Sequence, residues 1–203
     1  MSGGGDPPAA SAPADALGVR PACAYDLPAI NAIYNHYVLG STATYQQEPE
    51  ALANRERWFA AHGGQHPVLV VENAGEVVGW GSLSPFHPRA AFLHTVEDSL
   101  YVHHAHHRRG IGRLLLSALI ARARAAGHRS IIAAVSGDQL ASLRLHLSCG
   151  FREAGRLREA GYKFARWLDV VYLQLALAGA AADAPAPPGP RGPSDHGGHG
   201  GHG

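Results

Sequence analysis

Apolar positions along this chain recur in two rhythms, one of every second residue and one of every third or fourth. The first rhythm predicts short strands at Val19–Ala24, Val68–Val71, Val77–Leu83, Val96–Val102 and Ser130–Val135. Two closing strands follow, the last of them the strongly apolar run Leu168–Leu175. The turn Asn73-Ala74-Gly75 between the second and third strands is a hairpin signal. The second rhythm predicts helices. One spans Leu27–Val38, with Asp26 as its candidate N-cap and Ile30, Ile33, Tyr34 and Tyr37 on one face. Another follows Pro49 and carries Leu52, Trp58 and Phe59. A third runs from Gly110 to Ala126 and is stopped by Gly127. The fourth covers about Gln139–Ser148. Strands come first as hairpins and then alternate with helices. That order predicts an α/β (α+β) domain with a mixed sheet of about seven strands, flanked by about four helices.

Composition sharpens the boundaries. Residues 1–18 and about 179–203 are rich in Gly, Pro, Ala, Ser and His, and cannot bury enough apolar surface to offset their ordering entropy. They are expected to be disordered tails around one folded unit at 19–178. The chain has 203 residues, of which 46% are hydrophobic and 16% charged, enough for one sizeable core. A net charge of +1 gives no footprint for nucleic acid or an anionic membrane. Two cysteines without a C-x-x-C pair argue against a disulfide framework or a thiolate zinc site. No secretory leader or run of 18 to 20 apolar residues is visible, so a cytoplasmic protein is expected.

The chemistry begins at His107-Arg108-Arg109-Gly110-Ile111-Gly112, where a strand hands over to a helix. A helix N-terminus has unpaired N–H groups and partial positive charge, and two glycines let an anion approach them. Arg108, Arg109 and Arg113 add formal charge, so a pyrophosphate is the natural guest. Neither G-x-x-x-x-G-K-[ST] nor G-x-G-x-x-G is present, which disfavours ATP and NAD. A helix cap with solvated basic residues is the bland alternative.

The stretch resembles the R/Q-x-x-G-x-G/A coenzyme A signature of the GNAT acetyltransferase superfamily. Further segments are similar to its phosphinothricin acetyltransferase-like branch: Ile33–Val38 with Thr42–Tyr45, Thr95-Val96-Glu97 leading to Tyr101-Val102, Ala141–His146 with Gly150-Phe151, and Gly161-Tyr162-Lys163 with Trp167–Val171. They lie in the expected order across about 19–176. The resemblance implies a mostly antiparallel, twisted sheet that splays in the middle, where Leu100, Tyr101 and Val102 offer a free backbone edge to the pantetheine arm. It implies acetyl-CoA as co-substrate, no metal, and phosphate contacts from His107, Arg108, Arg109, Gly110, Ile111, Gly112 and Arg113. His107 stands where the family usually has Gln or Arg, a position that normally acts through its backbone. Gln139 stands where many relatives place an Asn beside the pantetheine arm.

Acetyl transfer needs a neutral amine, an oxyanion site and a proton for the thiolate. Glu97 is the expected base, against the alternative of a strand-end carboxylate facing solvent. Its neighbour Asp98 is expected on the opposite strand face, outside the chemistry. His146 is expected to donate the thiolate proton or orient a group near the sulfur, against the alternative of a packed helix histidine. Tyr101 and Tyr162 are weaker candidates. By resemblance Arg89, Phe92, Thr44, Tyr45 and Lys163 reach an amino-acid-like amine, and the protein forms a homodimer. A non-catalytic acyl-CoA binder is the alternative from another class. The repeat His196-Gly-Gly-His199-Gly-Gly-His202 and the pairs His103-His104 and His106-His107 offer accessory metal binding.

Overall fold

The computed structural model describes residues 17–177. The expected tails, apart from Leu17 and Gly18, lie outside the described residues, as does the His196–His202 repeat. Leu17 already packs against the core and Gly18 opens the first strand, so order begins before Val19. The elements are β1 (Gly18–Pro21), a 3-10 turn (Ala24–Asp26), α1 (Leu27–Gly40), α2 (Leu52–Ala60), β2 (Val68–Asn73) and β3 (Glu76–Pro85). Then follow a 3-10 turn (Ala90–Phe92), β4 (Thr95–Val102), a 3-10 turn (His104–His106) and α3 (Ile111–Ala125). The chain closes with β5 (Ser130–Ser136), α4 (Leu140–Ser148), β6 (Arg152–Lys163) and β7 (Arg166–Ala176).

The strands form one seven-stranded sheet in the order β1-β2-β3-β4-β5-β7-β6. Every neighbouring pair is antiparallel except β4 with β5. The hairpin between β2 and β3 turns on Ala74 and Gly75, both at positive φ. The alternation read from sequence sorts side chains onto two faces. Leu69 and Val71 join the cluster under α3, whereas Val68 and Val70 join Trp80 under α1 and α2. Arg55 is buried on that second side, its guanidinium 4.6 Å from the Tyr34 ring centroid and 4.7 Å from that of Trp58. Such stacking on aromatic faces offsets part of the cost of burying the charge.

Asp26 holds the N-cap position of α1, but its side chain makes no capping bond to that helix. Its carboxylate accepts two hydrogen bonds from the Arg20 guanidinium, at 2.7 and 2.8 Å, and one from the Cys23 N–H at 2.8 Å. It closes the 3-10 turn and ties β1 to the start of α1, which opens instead on Leu27-Pro28, where proline costs no helical bond.

α3 seats directly on the sheet because β3 presents glycine beneath it. A Cβ added at Gly81 would lie 3.0 Å from Leu119 Cδ1 and 3.0 Å from the Ser99 carbonyl oxygen. One at Gly79 would meet Ile111 Cγ2 at 2.9 Å. Leu115, Leu116 and Leu119 are fully buried there, each contributing about 1.5–3 kcal/mol relative to exposure. The Gly81→Ala variant is therefore expected to lose about 1–3 kcal/mol in urea denaturation, as overpacking does. Because it lifts the helix that begins at the Gly110 turn, and the resemblance places acetyl-CoA there, its KM for that co-substrate should also rise.

Candidate active site

β4 and β5 stay paired for only three rungs, Thr95↔Ser130, Val96↔Ile131 and Glu97↔Ile132. Beyond Glu97 the strands part. β4 continues on β3 as far as Gly79↔Val102, and β5 continues on β7 as far as Ser136↔Val170. The β4 edge from Asp98 to Val102 is thus left without a strand partner. A cleft of about 880 Å³ occupies the split. Its walls include Glu97 to Val102 from β4, Ala133 to Ser136 from β5, and Gln139, Ser142, Leu145 and His146 at α4.

The anion turn closes one end. Arg108 has φ +60° and Gly110 φ +80°, the latter ending on the first residue of α3. The first N–H groups of α3 have no carbonyl within the helix and face this end of the cleft. His107, Arg108, Gly110, Ile111, Gly112 and Arg113 line it. Arg109 does not; its guanidinium donates to His106 Nδ1 at 3.0 Å. Arg113 donates to Ser148 Oγ at 2.9 Å and so links α3 to the end of α4. His107 acts through more than its backbone. Its Nε2 lies 2.7 Å from the Tyr37 hydroxyl, which donates to the Val102 carbonyl. That bond fixes the last residue of the free edge against α1. Burial pushes the Tyr37 phenol up to about 12. The pairs His103-His104 and His106-His107 do not gather as ligands: His36, His104 and His103 stack ring on ring, with centroids 4.1 and 4.4 Å apart. Among the described residues no group of three or more His, Cys, Asp or Glu is placed to hold a metal ion.

Glu97 and Asp98 occupy opposite faces of β4, as the alternation requires. Glu97 is half-buried at the last paired rung, on the side of Thr44, Tyr45 and Tyr101. Burial, then the Asp98 carboxylate, push its carboxyl above the usual range. Asp98 is not idle, which corrects the expectation. It is buried, and its Oδ2 accepts from His146 Nε2 at 3.0 Å. His146 is also buried and donates through Nδ1 to the Ser142 carbonyl at 2.8 Å. Burial lowers the imidazole pKa, but the hydrogen bond and charge of Asp98, with the Ser142 carbonyl, raise it on balance. An acceptor at each nitrogen favours the protonated ring, which releases a proton only by giving up one of these bonds.

The side of the cleft at Thr44 and Tyr45 is shaped by the segment 41–46, tethered from three directions. Lys163 is buried and its ammonium donates to the Ser41 and Thr44 carbonyls at 2.7 and 2.8 Å. Gln139 donates to Thr42 Oγ1 at 2.7 Å, and Thr42 to Asp138 at 2.8 Å. Tyr34 takes Thr44 Oγ1 at 2.9 Å and donates to Gln46 Oε1 at 3.0 Å. The Cδ1–Cε1 edge of the Tyr45 ring lies against Gly161, where a Cβ would come within 2.8 Å of it. Thr44, Tyr45 and Gln139 therefore line the cleft, whereas Lys163 braces it from behind. Arg89 and Phe92 are exposed beside the Ala90–Phe92 turn and outside the cleft walls, Phe92 packing on Phe86 and His87. Tyr162 is also outside, against Trp167. Tyr101 is in the wall, its phenol raised by burial and so kept protonated.

This geometry is shared with known proteins. The Acetyltransferase (GNAT) family model matches residues 30–151. The chain belongs to the GNAT acetyltransferase family. An L-methionine sulfoximine/L-methionine sulfone acetyltransferase of Pseudomonas paraeruginosa is 44% identical over 161 residues, covering 78% of this chain and 94% of the relative. A phosphinothricin N-acetyltransferase of Alcaligenes faecalis is 40% identical over 163 residues, covering 79% and 82%. Among solved structures, a phosphinothricin acetyltransferase of Sinorhizobium meliloti in complex with acetyl-CoA superposes with a TM-score of 0.80 at 36% identity, over 83% of this chain and 92% of that one. This GNAT chain is an acetyl-CoA-dependent N-acetyltransferase of the phosphinothricin acetyltransferase-like branch, which removes the non-catalytic alternative. The open β4 edge and the unpaired amides of α3 suit an amide-bearing arm and a pyrophosphate, so acetyl-CoA fits the cleft.

The Asp98–His146 pair has a signature in stability. A histidine raised in the fold stabilises it fully below its unfolded value of about 6.5, and that contribution fades as pH rises through the folded value. Thermal unfolding across pH should show wild type exceeding Asp98→Asn most on the acidic side of this window. The gap should narrow towards alkaline pH.

Proposed function

We propose that this enzyme transfers the acetyl group of acetyl-CoA to the α-amino group of a small amino-acid-like substrate, of the methionine sulfone, methionine sulfoximine or phosphinothricin kind, with Glu97 as general base. The observation that carries this reading is the position of Glu97: half-buried, raised in pKa, and set at the last rung before the strands part. A carboxylate raised towards neutrality is a better match for taking a proton from an ammonium, directly or through a water. The amine is then free to attack by direct transfer, without an acyl-enzyme.

On this reading the β4 edge from Leu100 to Val102 aligns the pantetheine arm, and the turn from His107 to Arg113 carries the phosphates. Acetyl-CoA supplies the activated acyl group. His146 contributes positive charge beside the departing sulfur, and its proton is available only at the expense of its bond to Asp98 or Ser142. Thr44 and Tyr45 face the amine. Arg89 and Phe92, outside the cleft walls, reach a substrate only where its tail extends out of the cleft. Cytoplasmic location and a homodimer belong to the same reading; among the described residues no helix is long and apolar enough to cross a membrane.

Thiol release from acetyl-CoA with methionine sulfone, methionine sulfoximine, phosphinothricin and a polyamine tests the substrate class. The first three should turn over, and activity confined to the polyamine would overturn it. Glu97→Gln should lower kcat about 10²–10⁴-fold at neutral pH, the range for a general base, with acetyl-CoA affinity by calorimetry unchanged. An unaltered rate would remove Glu97 from the chemistry. His146→Ala should lower both kcat and melting temperature; a normal kcat with altered stability alone would leave His146 a packing residue.

A further inference from the structure

The Asp98 carboxylate sits where the sheet divides. It is the first β4 residue beyond the last β4–β5 rung, and it follows Glu97 directly, with Cα atoms about 3.8 Å apart. Its Oδ2 is neutralised by His146 on the far side from Glu97. Its Oδ1 is buried with no hydrogen-bond partner among the described residues, and Asp98 forms part of the cleft wall. The negative charge is therefore compensated on one oxygen and bare on the other. The ion pair is a dipole whose negative end adjoins the base and whose positive end lies on α4.

We propose that Asp98 is a positioning residue for acetyl transfer: its buried bond holds His146 in place on α4, and its half-compensated charge stands at the next strand position to the Glu97 carboxylate. This rests on the assignment of Glu97 as the base. The surroundings of Glu97 leave Asp98 as the charge that matters. On its own face stand Tyr101 from β4, Tyr34 and Tyr37 from α1, and Tyr45 from the tethered segment. Tyr37, Tyr45 and Tyr101 have phenols raised by burial, so they stay neutral around the operating pH. His62, at the end of α2, bonds Ser84, the β3 partner of Glu97, and burial lowers its pKa towards the neutral form. Arg55 lies behind Tyr34, and Lys163 lies behind Thr44 with its ammonium on two carbonyls. His146 faces Glu97 only through Asp98. Burial first, and Asp98 second, are the influences that act on the Glu97 carboxyl.

The sign follows without ambiguity. Removing the Asp98 charge lowers the Glu97 pKa whether His146 then stays charged or, losing its partner in a buried site, becomes neutral. Glu97 then remains ionised to lower pH but is a weaker base.

The test is the pH dependence of kcat/KM for methionine sulfone at saturating acetyl-CoA, in wild type, Asp98→Asn, Asp98→Ser and Glu97→Gln. The amine titrates identically in all four, so differences in the acid limb belong to the protein. Both Asp98 variants should lose rate on the plateau and move the acid limb to lower pH, so that the ratio of variant to wild-type kcat/KM rises as pH falls. A ratio constant across pH would overturn the proposal and leave Asp98 a purely structural partner of His146. Thermal unfolding and acetyl-CoA calorimetry show which variants are folded, and the serine variant replaces the asparagine variant if that one is not. A Glu97→Gln enzyme with the wild-type rate and acid limb would instead sink the assignment of Glu97, an outcome distinct from an unchanged limb in the Asp98 variants.

Discussion

Everything this enzyme does depends on the separation of β4 from β5 after Glu97. Backbone groups at a sheet edge must be paired or solvated, and a split in the middle of a sheet creates such an edge inside the molecule. Here the edge is paid out over Asp98 to Val102, and it is kept open by what stands between the strands. α3 begins at one end of the gap. α4 covers the other, pinned to β4 by the buried His146–Asp98 bond. Small side chains, Ala133 and Ala134, line the β5 side.

The same separation divides the electrostatics. The end of the cleft at α3 is positive through helix amides, Arg108 and Arg113. The middle carries two carboxylates on consecutive residues, one aimed at each face of the strand. A regular strand gives this opposition at no cost, because successive side chains alternate. It sets one acid on the side of Thr44 and Tyr45 while the other anchors a helix. The segment 41–46 then closes the other side of the cleft, held by long-range bonds rather than by its own secondary structure.

The strands and helices were readable because each buries one face, and burial imposes a period that local sequence displays. The turn at Gly110 was readable for a related reason, since Gly110 takes a positive φ where the helix begins and a Cβ at Gly112 would lie 3.0 Å from Leu145 Cδ2. What escaped were side chains whose partners lie far along the chain. Asp26 stands at the N-cap position the sequence suggested, but its carboxylate is taken by Arg20 on β1. Lys163 looked like a substrate contact, but two carbonyls more than a hundred residues earlier claim its ammonium. Asp98 looked idle because alternation says which way a residue points, not what waits there. His107 seemed interchangeable with Gln or Arg, yet its ring reaches Tyr37 on α1. An acidic residue at an inward strand position, two before an apolar one, was the available sign that Asp98 needed a buried cation.

The burial of Lys163 has one more consequence. It is the only lysine in the sequence; the other cationic side chains are arginines and histidines. An N-acetyltransferase thus carries its single ε-amine folded away, bonded to two backbone oxygens. Arginine meets the surface's need for positive charge and offers no nucleophilic amine at neutral pH. No lysine on the enzyme's surface competes with the substrate for its own activated acyl donor, and chemical self-modification by a reactive thioester finds no exposed ε-amine to mark.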